Sequence, residues 1–229
     1  MEIRLLSLLD GARQARGTAV VIDVYRAFTT AAVAFRRGVD KIVLVAEVEE
    51  ALDLKERGVG QLCMGEVDGK KPAGFDLGNS PYELSQTEVA GKTLIQSTRA
   101  GTVGVAAAEG AERIFLGSLV LARATVAAIR AANPPLVSIV AMGWAAEMRT
   151  DEDEQCGLYI RNLLEERAPD PEAVKSLVLA GGESAKFDDP AKPHFHPGDR
   201  DLALEIDTAD FALEVKREDG LLVARRCQY

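Results

Sequence analysis

Asp23 stands at the end of the apolar run 18–24, and Arg26 follows it three residues later. A carboxylate at a strand end can ligate a cation while a neighbouring guanidinium forks onto a phosphate. The same two residues could also be a helix N-cap beside a surface arginine. A second stretch, from Gly65 to Pro81, has no helical or strand period and reads as a loop. It holds Glu66, Asp68 and Asp76, which are hard oxygen donors for a Mg²⁺-type ion, together with Lys70 and Lys71 and an Asn79-Ser80 pair. Its glycines would let backbone N–H groups approach an anion closely. A third set of small hydroxyl and glycine residues, Ser97, Thr98, Gly117, Ser118 and Gly143, falls at or just beyond strand ends, where an oxyanion cradle would form. Acids beside such a cradle repel a phosphate unless a divalent cation stands between them.

The elements that must position these groups alternate. An apolar strand at 18–24 feeds an Ala-rich helix at 27–35; a strand at 41–46, a helix at 48–57 and a short strand at 61–64 follow. After the long loop come a helical turn at Pro81, strands at 92–96, 113–116 and 137–142, and helices at 103–109 and 120–131. The acidic run Asp151 to Glu154 reads as the N-terminal turn of a helix reaching Arg167. Glu152 and Glu154 cannot both face one way on it, so at most one or two of these acids can be ligands. This βαβα order predicts an α/β protein, three layers α/β/α around a mostly parallel, mixed central sheet. Residues 172–179 suggest a further helix, 181–201 a loop, and 202–206 a strand. The segments 211–217 and 221–225 predict an antiparallel hairpin around an Asp-Gly turn, peripheral to a single domain spanning residues 1–229.

Composition narrows the classes. The chain has 229 residues, 47% hydrophobic and 28% charged, ordinary for a globular protein with a full core. A net charge of −9 argues against nucleic-acid binding. The charged N-terminal stretch does not suit a signal peptide, and no apolar run approaches a membrane span, so a cytoplasmic protein is expected. Cys63, Cys156 and Cys227 are too far apart for a Cys-x-x-Cys site and read as core thiols. His194 and His196 flank Phe195 in a Pro-rich stretch and read as surface loop.

Five segments together resemble the 2-phosphosulfolactate phosphatase (ComB) family: 20–27, Gly-Phe-Asp-Leu-Gly-Asn-Ser-Pro at 74–81, the loop 97–102, Gly117-Ser118, and Glu152-Asp-Glu154. The resemblance implies Mg²⁺-dependent hydrolysis of 2-phospho-3-sulfolactate to sulfolactate and phosphate, on a route to coenzyme M. Two segments depart from the family pattern. The loop 97–102 lacks the Asn of the family's usual Thr-Asn-Gly-Thr ending and presents Arg99, and 144–149 differs from the family's Gly-rich version. Both departures bear on the substrate more than on the reaction.

The expected site follows from these readings. Asp23, Glu66 and Asp76 would be catalytic and, with Glu152 or Glu154, would hold the metal and its water. Arg26, Lys71, Asn79, Ser80, Ser97, Thr98, Arg99, Gly117 and Ser118 would bind the small anionic substrate. Water attack and an aspartyl-phosphate intermediate are both open. A phosphatase for another phosphorylated acid and a non-catalytic anion-binding module are the rivals. A homodimer is compatible with the alternating C-terminal strands.

Overall fold

The computed structural model describes residues 1–227. The chain opens with strand β1 (Glu2–Ser7) and helix α1 (Leu8–Gln14), two elements the sequence reading did not anticipate. The alternation then runs as expected: β2 (Gly17–Ile22), α2 (Ala27–Arg36), β3 (Lys41–Val45), α3 (Val48–Glu56), β4 (Leu62–Gly65), α4 (Pro81–Ser85), β5 (Thr93–Ser97), α5 (Gly101–Ala107), β6 (Ala111–Gly117), α6 (Ala122–Ala132), β7 (Leu136–Ala141) and α7 (Asp151–Leu164). Helices α8 (Pro171–Ala180) and α9 (Pro197–Ala203) and strands β8 (Ala212–Glu218) and β9 (Leu221–Cys227) complete it.

Two readings of the last quarter are corrected. Residues 181–201 are not plain loop, since they contain a 3₁₀ stretch at Gly182–Asp188 and most of α9. Residues 202–206 are not a strand. Pro197 sits at the first helical position and the His196 ring accepts the Gly198 N–H, so a helix starts there, with Asp199 and Ala203 on its buried side.

The nine strands among the described residues form one sheet in the order β1-β7-β2-β6-β8-β9-β3-β5-β4. The hairpin is therefore not peripheral, because β8 and β9 are the central pair joining two parallel halves. Val20 and Ile22 of β2 point into one apolar cluster with α6, α7 and α8, while Val21 points into another with α2 and α5. A third cluster places α3 over Val43, Cys63 and Ile95. Helices thus cover both faces, as the apolar runs of the parallel strands require.

The pairings β6–β8, β8–β9 and β9–β3 are antiparallel, so β3, β5 and β4 point locally opposite to β2. In a flat sheet the two sets of strand ends would lie apart. Sheet twist of about 20–25° per step makes the halves cross instead, and both wrap α2 and α5. The Gln96 side-chain amide on β5 donates to the Ala27 carbonyl at the start of α2, 2.9 Å away, across that inner layer. The ends of β2, β4 and β5 meet there.

Candidate active site

Asp23 follows β2 directly and is 6% exposed. Its Oδ1 accepts the Ala27 N–H at 3.0 Å and its Oδ2 the Gly101 N–H at 2.9 Å. Gly101 must be glycine for this approach, since a Cβ there would lie 2.9 Å from Asp23 Oδ2 and 3.0 Å from both Ala27 and Phe28. Glu66, just past β4, accepts the Arg99 N–H on Oε1 and the Gly69 N–H on Oε2, both at 2.8 Å. The loop 97–102 is thus an anion cradle, but the anions it holds are the protein's own carboxylates. Its remaining donors close on themselves: Thr98 N–H donates to Thr102 Oγ1 and Thr102 N–H to Thr98 Oγ1.

These groups border a cavity of ≈ 30 Å³ lined by Asp23, Glu66, Asn79, Arg99, Trp144 and Phe195, among others. The Arg99 side chain is exposed and makes no hydrogen bond or ion pair with the described residues; only its backbone N–H is used. Asn79 is 5% exposed, and its Oδ1 has no hydrogen-bond partner among the described residues. Burial pushes the Asp23 pKa up to about 6, against the Ala27 N–H, and the Glu66 charge pushes the same way.

Of the other expected site residues, Arg26 reaches the cavity but is committed to the protein. Its guanidinium donates to the His194 carbonyl at 2.7 Å and the Gly69 carbonyl at 2.8 Å, and pairs with Asp199 at 3.1 Å. Asp76 points away to Lys55, whose ammonium lies 2.7 Å from both its oxygens, and to the Cys63 N–H. Lys71 donates to the Asp76 carbonyl. Ser80 caps α4 and donates to Asp199 at 2.5 Å, while Ser97 donates to the Ala46 carbonyl. The Gly117 carbonyl accepts the Asp23 N–H, and the Ser118 hydroxyl is buried without a partner among the described residues; neither residue lines the cavity. Glu154 turns outward to Ser7 and Arg149.

On α7 the inward acids are Glu152 and Asp153, 3% and 2% exposed. Asp153 was not among the expected ligands. It joins the ends of β2 and β7 by accepting the Val24 N–H at 2.7 Å and the Gly143 N–H at 2.8 Å. Burial first, then the charges of Glu152 and Asp23, hold its carboxyl well above the usual range. The sequence did carry a signal for it: the buried stripe of α7, Cys156, Gly157 and Ile160, extended back by one turn, lands on Asp153. Lys186, also not anticipated, pairs with Glu183 at 2.6 Å, and its ammonium lies 4.8 Å from the ring of Phe195 and 4.9 Å from that of Trp144.

A hard-oxygen cation would suit this donor set. Among the described residues no three His, Cys, Asp or Glu side chains converge into a cage. Mg²⁺, however, keeps several waters and commonly takes only one or two carboxylates together with substrate phosphate oxygens. Asp23, Glu66 and the unpartnered Asn79 Oδ1 match that composition.

The 2-phosphosulpholactate phosphatase family matches residues 6–189. A protein of Bacillus subtilis (strain 168) named "Probable 2-phosphosulfolactate phosphatase" is 32% identical over 202 residues, 87% of each chain. Proteins of the same name from Clostridium acetobutylicum and Carboxydothermus hydrogenoformans are 37% and 36% identical, over 79% and 73% of this chain and 77% and 69% of theirs. No helix among the described residues is long and apolar enough to cross a membrane. With a family match over most of its length and relatives of this identity spanning more than two thirds of it, the chain belongs to the 2-phosphosulpholactate phosphatase family.

Proposed function

We propose that this chain is a Mg²⁺-dependent phosphoric monoester hydrolase that converts 2-phospho-3-sulfolactate and water to 3-sulfolactate and phosphate, the type of reaction used in coenzyme M biosynthesis. The observation that carries the reading is the pairing of Asp23 and Glu66 on one N–H cradle, at a cavity where the Arg99 guanidinium is unpartnered. The names of its relatives supply the substrate.

Asp23, Glu66 and Asn79 would hold Mg²⁺, which when bound neutralises charge on the phosphoryl oxygens and lowers the pKa of a bound water. Arg99 binds the phosphoryl group through its free N–H donors. Asp23, at the end of β2 beside the attacking water, would take that water's proton. The water oxygen bonds to phosphorus, the phosphorus bond to the C2 oxygen breaks, and that oxygen leaves with a proton as the sulfolactate hydroxyl. Both Asp23 oxygens already accept backbone N–H groups, which favours a held base over a nucleophile that must swing onto phosphorus.

Phosphate release from 2-phospho-3-sulfolactate, 2-phospholactate and 3-phosphoglycerate, with Mg²⁺ and with EDTA, tests this. Turnover of the first, abolished by EDTA and lowered by about 10²–10⁴-fold in Asp23→Asn, is expected. Release from none of the three ends the phosphatase reading, and full activity in EDTA ends the metal.

A further inference from the structure

The acid cavity is too small for the substrate it would serve. At ≈ 30 Å³ it has room for roughly two waters by the usual measure of water-sized cavities. A phosphoryl group seated there would leave the carbon skeleton to extend through the cavity's open mouth. Beside it opens a groove of ≈ 600 Å³ that shares Asp68, Trp144 and Phe195 with the cavity wall, so an ester seated at Asp23 and Glu66 emerges past these residues.

Three lysines line that groove together with the carboxylates of Asp68, Glu183 and Asp189, and the lysines are not equivalent. Lys186 is 9% exposed and neutralised by Glu183 at 2.6 Å. Lys70 has no ion pair among the described residues, and Lys192 has only a long one, 3.9 Å to Asp189. Both are exposed. His194 also lines the groove, and burial first, then Arg26, Lys70 and Lys192, hold its imidazole below its ordinary pKa. Its backbone is fixed by the Arg26 bond to its carbonyl. At neutral pH it offers a neutral N–H donor inside a positive field.

Resting on the phosphatase reading, we infer that this groove is a sulfonate subsite, in which Lys70, Lys192 and the His194 ring bind the substrate's sulfonate while its phosphoryl group enters the acid cavity. The −9 net charge of the chain makes such a local cation cluster necessary for a substrate carrying three anionic groups. Lys70 and Lys192 are then specificity residues, acting on what is bound and not on the bond that breaks.

The test is the double variant K70Q/K192Q, two exposed positions whose loss leaves the melting temperature in place. Its KM for 2-phospho-3-sulfolactate rises about tenfold or more with little change in kcat, as loss of charge-assisted hydrogen bonds predicts. Its KM for 2-phospholactate, which lacks the sulfonate, changes by less than about twofold. Calorimetric titration with 3-sulfolactate reads the subsite without turnover, and binding weakens by a similar factor in the variant. Equal KM changes for both esters, or no change for either, overturn the subsite. A wild-type protein that hydrolyses no ester but binds 3-sulfolactate through Lys70 and Lys192 fails the phosphatase reading alone.

Discussion

Glu152 is a carboxyl that the fold buries while leaving its Oε2 without a hydrogen-bond partner among the described residues. Burial is the main cause that lifts its pKa from 4.5 to about 7; the Lys186 ammonium opposes the shift and Glu183 adds to it. The folded protein therefore holds this proton at pH values where the unfolded chain has released it. Below about pH 4.5 both states are protonated and no penalty exists; as pH rises towards 7 the native state loses stability, and above 7 the whole penalty applies. A shift of that size is worth on the order of 3 kcal/mol. Glu152→Gln removes it, so urea denaturation of the metal-free protein should find the variant more stable than wild type at pH 8 and level with it at pH 4.5. Equal stability at both values would mean that the carboxylate is compensated in the native state. At this scale the sequence was legible where one residue announces its own chemistry. Asp23 after an apolar strand and Glu66 after a short one are such cases, and both line the cavity. Arg26 was legible only by type, because the groups that consume its guanidinium lie at Gly69, His194 and Asp199, two of them some 170 residues away.

Between elements, Arg26 is the tie. From the turn between β2 and α2 it reaches the loop after β4 through Gly69, the segment before α9 through His194, and α9 itself through Asp199, with its Cζ 4.6 Å from the Phe195 ring centroid. Asp199 is fully buried and also accepts the Ser80 hydroxyl and the Tyr82 N–H, so α4 joins the same knot. Both walls of the cavity hang on this one ion pair. Removing either partner alone leaves an uncompensated buried charge, at a cost of about 3–5 kcal/mol. Arg26→Ala and Asp199→Ala should each destabilise by about that much, and the double variant by less than their sum, by about 0.5–3 kcal/mol, in a denaturation cycle. Simple additivity would show the pair to be independent. The phase of α7 belongs to this scale too. Four consecutive acids look alike in sequence and also suit any helix N-terminus, so the choice among them turns on which side meets the sheet; that side is set by Cys156, Gly157 and Ile160, and it selects Glu152 and Asp153 over Glu154.

The alternation of strands and helices was legible along most of the chain because the two periodicities are local, whereas the place of a strand within the sheet is not. The segments now forming β8 and β9 alternate apolar and polar residues around Asp219-Gly220, which makes a hairpin evident and says nothing about its neighbours. In the fold Val215 pairs with Ile114 on one side and Ala224 on the other, and Val223 pairs with Val43, so strands far along the sequence bridge halves built from earlier segments. Neither parallel half can reach the other without them, and the crossing that brings the ends of β2, β4 and β5 together depends on the pair being central. An appended edge hairpin would open by itself; a central one opens only when the sheet does. Native-state hydrogen exchange should therefore find the amides of Leu213, Val215, Val223 and Ala224 in the slowest class, exchanging with the free energy of global unfolding and with the same denaturant dependence as those of Val20 and Val21. If the hairpin amides exchanged at a lower free energy than those of β2, the two halves would be folding without their bridge, and the site they build together would not depend on the end of the chain.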